Sequence, residues 1–134
     1  MTVKEKVKQI TGIDLDIFPS NKPRPCIYFI QEEYKSNRIQ HVKIGKTKNL
    51  YQRFNAIQCG NPYRLWLSHA VICDYKDLDE CEKLIHILFQ EHHVRGEWFY
   101  ADPVNRFLVD SDIYGIFTKE DLVKTLKKQE AQND

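Results

Sequence analysis

The chain has 134 residues, about the length of one domain, and its 42% hydrophobic and 29% charged residues exclude global disorder. No apolar run reaches the ~18 residues of a membrane span. The opening Met1-Thr2-Val3-Lys4-Glu5-Lys6 lacks a signal peptide's apolar stretch, so an intracellular, reducing location is expected.

The net charge of +1 conceals an asymmetry: residues 1–67 carry 12 Lys and Arg against 5 Asp and Glu, whereas the rest carry 8 against 14. No acid lies between Glu33 and Asp74, a window that holds Lys35, Arg38, Lys43, Lys46, Lys48, Arg53 and Arg64. Such a block repels itself and is relieved either by an anionic ligand or by folding against the acidic part of the chain.

Thr2 and Glu5 form a capping-box pattern, and Val3, Val7 and Ile10 share a face, which predicts a short opening helix. Turn residues at Pro19-Ser20-Asn21 and Pro23-Arg24-Pro25 mark a connecting arm. Cys26-Ile27-Tyr28-Phe29-Ile30 reads as a strand, 32–38 as a loop, and Ile39 to Lys46 as a second strand, antiparallel because the connection is short. Leu50, Phe54 and Ile57 give helical spacing over Asn49 to Ile57, with Gly60 just past its end and a turn at Asn61-Pro62.

A third strand is predicted over Leu65 to Cys73. A long helix follows over Asp77 to His93, N-capped by Asp77, with Leu78, Cys81, Leu84, Ile85 and Leu88 on one side. Glu97 to Tyr100 reads as a short strand. Asp102-Pro103 suggests an N-cap with proline at N1, and Thr118 with Asp121 opens a last helix whose tail frays. The ββαβα order, with helical additions at both termini, predicts one α+β domain over 1–134. Its sheet is small, mainly antiparallel and flanked by helices.

In a strand, alternate residues share a face, so Cys26, Tyr28 and Ile30 point one way, while Lys43 and Gly45 share a face of the next strand. If the register joins those faces, a phenol and an ammonium become cross-strand neighbours beside a glycine that leaves room for a ligand. Arg53 projects from the following helix. Glu82 flanks the apolar stripe and can point over the edge of the core.

Cys26-Ile27-Tyr28, then Lys43-Ile44-Gly45-Lys46-Thr47-Lys48-Asn49-Leu50 and Arg53, resemble the two motifs of the GIY-YIG nuclease superfamily. Glu82-Lys83-Leu84-Ile85-His86-Ile87-Leu88-Phe89 and Arg95-Gly96-Glu97-Trp98-Phe99 resemble its phage and fungal subgroup related to the meiotically up-regulated protein. The resemblance covers roughly residues 25–100. It implies that Tyr28 helps activate the attacking water, Lys43 stands for the second motif's tyrosine, Arg53 binds phosphate and Glu82 binds metal. Cys26 replaces the first-motif glycine.

Those roles form a coherent hydrolytic set. A phenol with pKa near ~10 is a poor base at neutral pH, and a nearby Lys43 would lower it. Arg53 can hold two phosphate oxygens in a fork, and Glu82 offers a hard oxygen to Mg²⁺ or Mn²⁺, bound mainly with nucleic acid present. Lys46, Lys48, Arg53 and Arg64 are the expected nucleic-acid contacts, with DNA as the expected partner. The expected function is a metal-dependent DNA endonuclease. Its rivals are a non-cleaving nucleic-acid-binding module of the same fold and a protein-interaction domain with a basic face.

Blander roles exist for each residue. Tyr28 can be a strand aromatic, Lys43 and Lys46 edge-strand lysines, Arg53 a partner of some distant acid, and Glu82 with His86 an i,i+4 helix pair. Glu97 has no role derivable from the sequence beyond its place in the motif. Cys26, Cys59, Cys73 and Cys81 contain no CxxC pair, so a zinc site is weakly indicated. Phe54 and Trp66 read as core residues, and Tyr51 and Tyr63 as candidates for stacking on bases.

Overall fold

Cys26 to Ile30 is apolar at every position, the pattern of a strand covered on both faces. In the computed structural model, which describes residues 5, 24–33 and 39–133, this run lies in β1 (Cys26–Glu32), buried throughout and inside a six-stranded sheet. Apart from Glu5, the predicted opening helix, the arm up to residue 23 and the loop 34–38, with Lys35 and Arg38, lie outside the described residues.

β2 (His41–Thr47) and β3 (Leu65–Ile72) flank β1, both antiparallel to it. Between them runs α1 (Leu50–Cys59), started by Asn49, whose side chain accepts from the Gln52 N–H at 3.1 Å. That bond satisfies a donor with no partner inside the helix.

The predicted long helix is shorter than its composition suggests. α2 (Leu78–Leu88) stops where Phe89 turns into the core, edge-on to Phe29 at 6.5 Å and to Phe107 at 5.4 Å. His93, the last residue of the predicted helix, instead opens β4 (His93–Arg95), which pairs with β5 (Trp98–Tyr100). Asp77 ends a single 3-10 turn and makes no side-chain cap bond; its carboxylate lies 3.7 Å from Lys119.

α3 (Ala101–Asp110) begins ahead of the predicted Asp102-Pro103 start, because the Ala101 N–H is held by the Gln40 carbonyl at 3.0 Å. Pro103 still sits in the first turn, where its missing N–H costs nothing. β6 (Gly115–Thr118), absent from the sequence expectation, pairs parallel to β3 and completes the order β4-β5-β2-β1-β3-β6. Thr118 and Asp121 form the predicted capping box at the start of α4 (Lys119–Asn133), with reciprocal bonds of 3.0 and 3.1 Å. The α+β class and the ββαβα core match the expectation.

Alternation then sorts the side chains. Ile27, Phe29, Val42 and Ile44 pack under Cys81 and Ile85 of α2 and under Val104 and Leu108 of α3. Cys26, Tyr28 and Ile30 face the other way, under Leu50 and Phe54 of α1. A reciprocal amide pair, Gln31 with Asn105 at 2.6 and 3.1 Å, ties β1 to α3.

His69 on β3 lies edge-on to Phe29 at 5.8 Å and Phe117 at 6.4 Å, and its buried Nδ1 has no hydrogen-bond partner. Burial lowers its pKa to about 4. Between that value and the ordinary 6.5 the unfolded ring takes a proton that the folded ring refuses. Stability is therefore full above pH 6.5 and falls on acidification through this window, by roughly 3 kcal/mol. His69→Leu is expected to flatten this acid limb, read by urea unfolding at pH 7 and pH 4.5; an unchanged limb would assign the loss to other groups.

Candidate active site

The β1–β2 register sets Tyr28 opposite Gly45 and Ile30 opposite Lys43. Gly45 is required by space. A Cβ there would lie 2.4 Å from the Tyr28 hydroxyl, 2.7 Å from Tyr28 Cζ and 2.6 Å from Glu97 Oε1. With no side chain at 45, the phenol lies across the strand and reaches two partners. Its O–H donates to Glu97 Oε1 at 3.1 Å, and its oxygen accepts from Arg53 Nε at 3.4 Å.

Glu97 arrives from the two-residue turn of the β4–β5 hairpin. Gly96 there has φ +53°, a conformation open to glycine at little cost. The turn is fastened by His93 Nε2, which donates to the Gly96 carbonyl at 2.7 Å, and by the Ile44 N–H, which donates to the Glu97 carbonyl at 2.8 Å. The carboxylate that the sequence left without a role is thus the hub of the site. It accepts from Tyr28 and lies 3.5 Å from Lys43 Nζ.

The expected effect of Lys43 on Tyr28 is overturned. Lys43 stands two pairs further along the ladder, spends its charge on Glu97 and lies 5.3 Å over the Trp98 ring. Burial pushes the Tyr28 hydroxyl up to about 12; the Arg53 hydrogen bond opposes this rise and the Glu97 carboxylate adds to it. At neutral pH Tyr28 is therefore a phenol that donates to a carboxylate.

β5 covers the outer edge of β2 opposite His41 to Lys43, and the last bond on that edge is the one from Ile44 to Glu97. Beyond it the edge opens, so side chains from both faces of the sheet approach one another. Lys46 projects on the α2 side, hydrogen-bonds Asp79 and lies 3.9 Å from Glu82 Oε1. The Asp79 bond is the main cause holding the Lys46 ammonium above its usual range, with smaller contributions from Glu82 and Glu97. Lys46 therefore links the charges of the two faces.

Glu82 is 16% exposed, and its Oε2 is buried with no hydrogen-bond partner. One turn on, His86 Nε2 donates to the Ile44 carbonyl at 2.8 Å, and its ring meets Phe99 edge-on at 5.0 Å, which fixes α2 against β2. A buried carboxylate oxygen without a donor is costly unless a cation supplies the missing partner, so the donor chemistry fits a hard divalent ion. Among the described residues no group of three or more His, Cys, Asp or Glu could hold a metal ion. Cys26 and Cys81 are buried thiols pushed up to about 12 by desolvation, which suits core packing.

The expected nucleic-acid contacts separate into two places. Lys46 and Lys48 line one groove with Thr47, Tyr75, Leu78 and Asp79, where Lys48 lies 5.5 Å over the Tyr75 ring. Arg53 is exposed beside Tyr28. Arg64 sits at the opposite end of β1, because Thr47 pairs with Cys26 while Leu65 pairs with Glu32. Six residues of strand, roughly 20 Å, separate the two ends. Arg64 therefore does not join the cluster around Tyr28.

The basic window also meets acids of the second part of the chain, at Lys43–Glu97 and Lys46–Asp79. The Lys46–Asp79 pair is exposed on both sides and exchanges readily for a phosphate. Asp79→Asn is expected to tighten nucleic-acid binding. Lys46→Ala with Arg53→Ala should weaken it and reduce the log–log salt slope by about one per residue. Filter binding over a salt series checks both; an unchanged slope in the double variant would place the binding surface elsewhere.

A sheet and helices that carry a phenol, a guanidinium, a buried unpaired carboxylate and exposed lysines at one open edge define an α+β domain suited to nucleic-acid phosphate. The chain belongs to the T5orf172 domain family, whose model matches residues 25–127. T5orf172 domains occur in phage and nuclease-like proteins, some of them related to the GIY-YIG superfamily, and the family is associated with nucleic-acid interaction. No curated protein and no solved structure matches the chain significantly. Among the described residues, no helix is long and apolar enough to cross a membrane.

Proposed function

We propose that the protein is a GIY-YIG-type, metal-dependent DNA endonuclease. The observation that carries this reading is the convergence over Gly45 of Tyr28, Arg53 and Glu97, beside the unpartnered buried oxygen of Glu82. Hydrolysis needs an activated water, neutralised charge in the transition state and a stabilised leaving oxygen.

Tyr28 supplies the first through Glu97. The hydroxyl is covered in the resting structure, so water meets it only when substrate displaces the side chains above it. The phenol oxygen then takes a proton from water as its own proton passes to Glu97 Oε1, and no free phenolate accumulates. The hydroxide forms the new P–O bond, the bond to the leaving oxygen breaks, and that oxygen is protonated from solvent. Arg53 holds the phosphate oxygens with the N–H groups not turned to Tyr28. Lys43 balances the Glu97 charge while the dyad is resting. A divalent cation held by Glu82 would neutralise charge on the phosphate and leaving oxygens.

Incubation with supercoiled DNA, with and without Mg²⁺, tests the reading. Nicking is expected only with metal, and Glu82→Gln should abolish it while binding is retained or strengthened, since a negative charge near phosphate is removed. Full cleavage by this variant would remove Glu82 from the mechanism. The burial that pushes the Tyr28 hydroxyl up to about 12 favours the second reading, a non-cleaving binding module; DNA binding without nicking under any divalent ion would select it.

A further inference from the structure

A groove of about 560 Å³ runs beside the candidate site, between the turn before β3 and the β4–β5 hairpin. Tyr63, Val94, Arg95, Trp98, His41 and Glu32 line it. By strand alternation His41, Lys43 and Gly45 share one face of β2, and Lys43 stands opposite Trp98, so the groove and the Tyr28 site open on the same side of the sheet. Lys43 joins them: its Nζ lies 3.5 Å from Glu97 Oε1 and 5.3 Å from the Trp98 ring centre.

The groove is built rather than incidental. The backbone of Tyr63 is pinned twice, with its N–H on Asn61 Oδ1 at 2.8 Å and its carbonyl on Gln58 Nε2 at 3.0 Å, yet its side chain is exposed. Trp98 is half-buried and braced by Lys43. His41 Nδ1 meets Glu32 Oε1 at 2.7 Å, which gives the far end a polar edge. Arg95 is exposed and supplies a cation. Two aromatic side chains, a guanidinium and a polar edge, in a space of this size, suit a nucleobase with its sugar and leave no room for a duplex. A paired base has both faces covered by its neighbours in the stack, so the occupant must be unpaired.

We propose that this groove takes an unpaired nucleobase next to the phosphate held at Arg53, so that the preferred substrate is nucleic acid with an unpaired base beside that phosphate. The proposal rests on the nuclease reading for the place of the phosphate, and its test separates the two. Three labelled duplexes are compared by fluorescence anisotropy without divalent metal: fully paired, with one bulged base, and with an abasic residue in the bulge.

The base-bearing bulge is expected to bind about tenfold more tightly than the other two. Tyr63→Ala, on an exposed turn, should bring that ratio down towards unity, whereas Arg53→Ala should weaken all three duplexes alike. Equal affinity of the wild type for the base-bearing and abasic bulges overturns the proposal, with no variant required. Metal-dependent nicking without base preference sinks the groove alone. Base preference without nicking supports the groove's occupant and sinks the nuclease reading.

Discussion

Replacing Gly45 by alanine is expected to cost at least about a hundredfold in cleavage and roughly 1–3 kcal/mol in stability. The added methyl would meet the Tyr28 hydroxyl at 2.4 Å and Cζ at 2.7 Å, distances that no relaxed carbon tolerates. Glu97 can swing aside, because its carboxylate ends a flexible chain. Tyr28 cannot: its ring is wholly buried in the cluster with Leu50, Phe54 and Leu67. Either the ring shifts and leaves Glu97 and Arg53, or β2 separates from β1. Thermal unfolding and single-turnover cleavage check the two effects. Unaltered activity in a folded Gly45→Ala variant would mean that the Tyr28–Glu97 contact is not required.

The second large effect concerns the carboxylate itself. Glu97→Gln keeps the shape of the side chain and its capacity to accept from Tyr28, but it cannot take up the proton that water activation displaces. Cleavage is expected to fall about 10²–10⁴-fold, the span of general acid–base contributions. Tyr28→Phe combined with Glu97→Gln should be little slower than the worse single variant, since members of one catalytic unit are not additive. Lys43→Met should have a smaller effect, because Lys43 balances Glu97 without touching the phenol. Multiplicative losses at Tyr28 and Glu97 would show two separate roles and remove the relay.

Local features were legible where local physics decides them. The Asn49 cap, the Thr118–Asp121 box and the apolar run of β1 appear where the residues indicate, because each depends on neighbours within a few positions. The shared face of Lys43 and Gly45 also follows from alternation. The register does not, and it decides that Gly45 rather than Lys43 stands opposite Tyr28. Glu97 lies 69 positions from the hydroxyl it accepts from, so its role emerges only once the hairpin folds back over β2. Position in a charge window misled in the same way: Arg64 belongs to the basic block by sequence and to the far end of the sheet in space. Residues 89 to 93 read as the tail of a helix, but the helix ends at Leu88, and His93 pairs with β5 instead.

Cleavage is expected to depend most directly on the Tyr28 hydroxyl. Tyr28→Phe removes one oxygen and leaves the ring to fill the same core. The decisive measurement is single-turnover cleavage of a DNA duplex in Mg²⁺ by wild type and variant, with the affinity of each recorded in parallel. The expected result is equal binding and cleavage at least about a hundredfold slower in Tyr28→Phe. Equal cleavage rates, or a wild type that binds and never cuts, would contradict it.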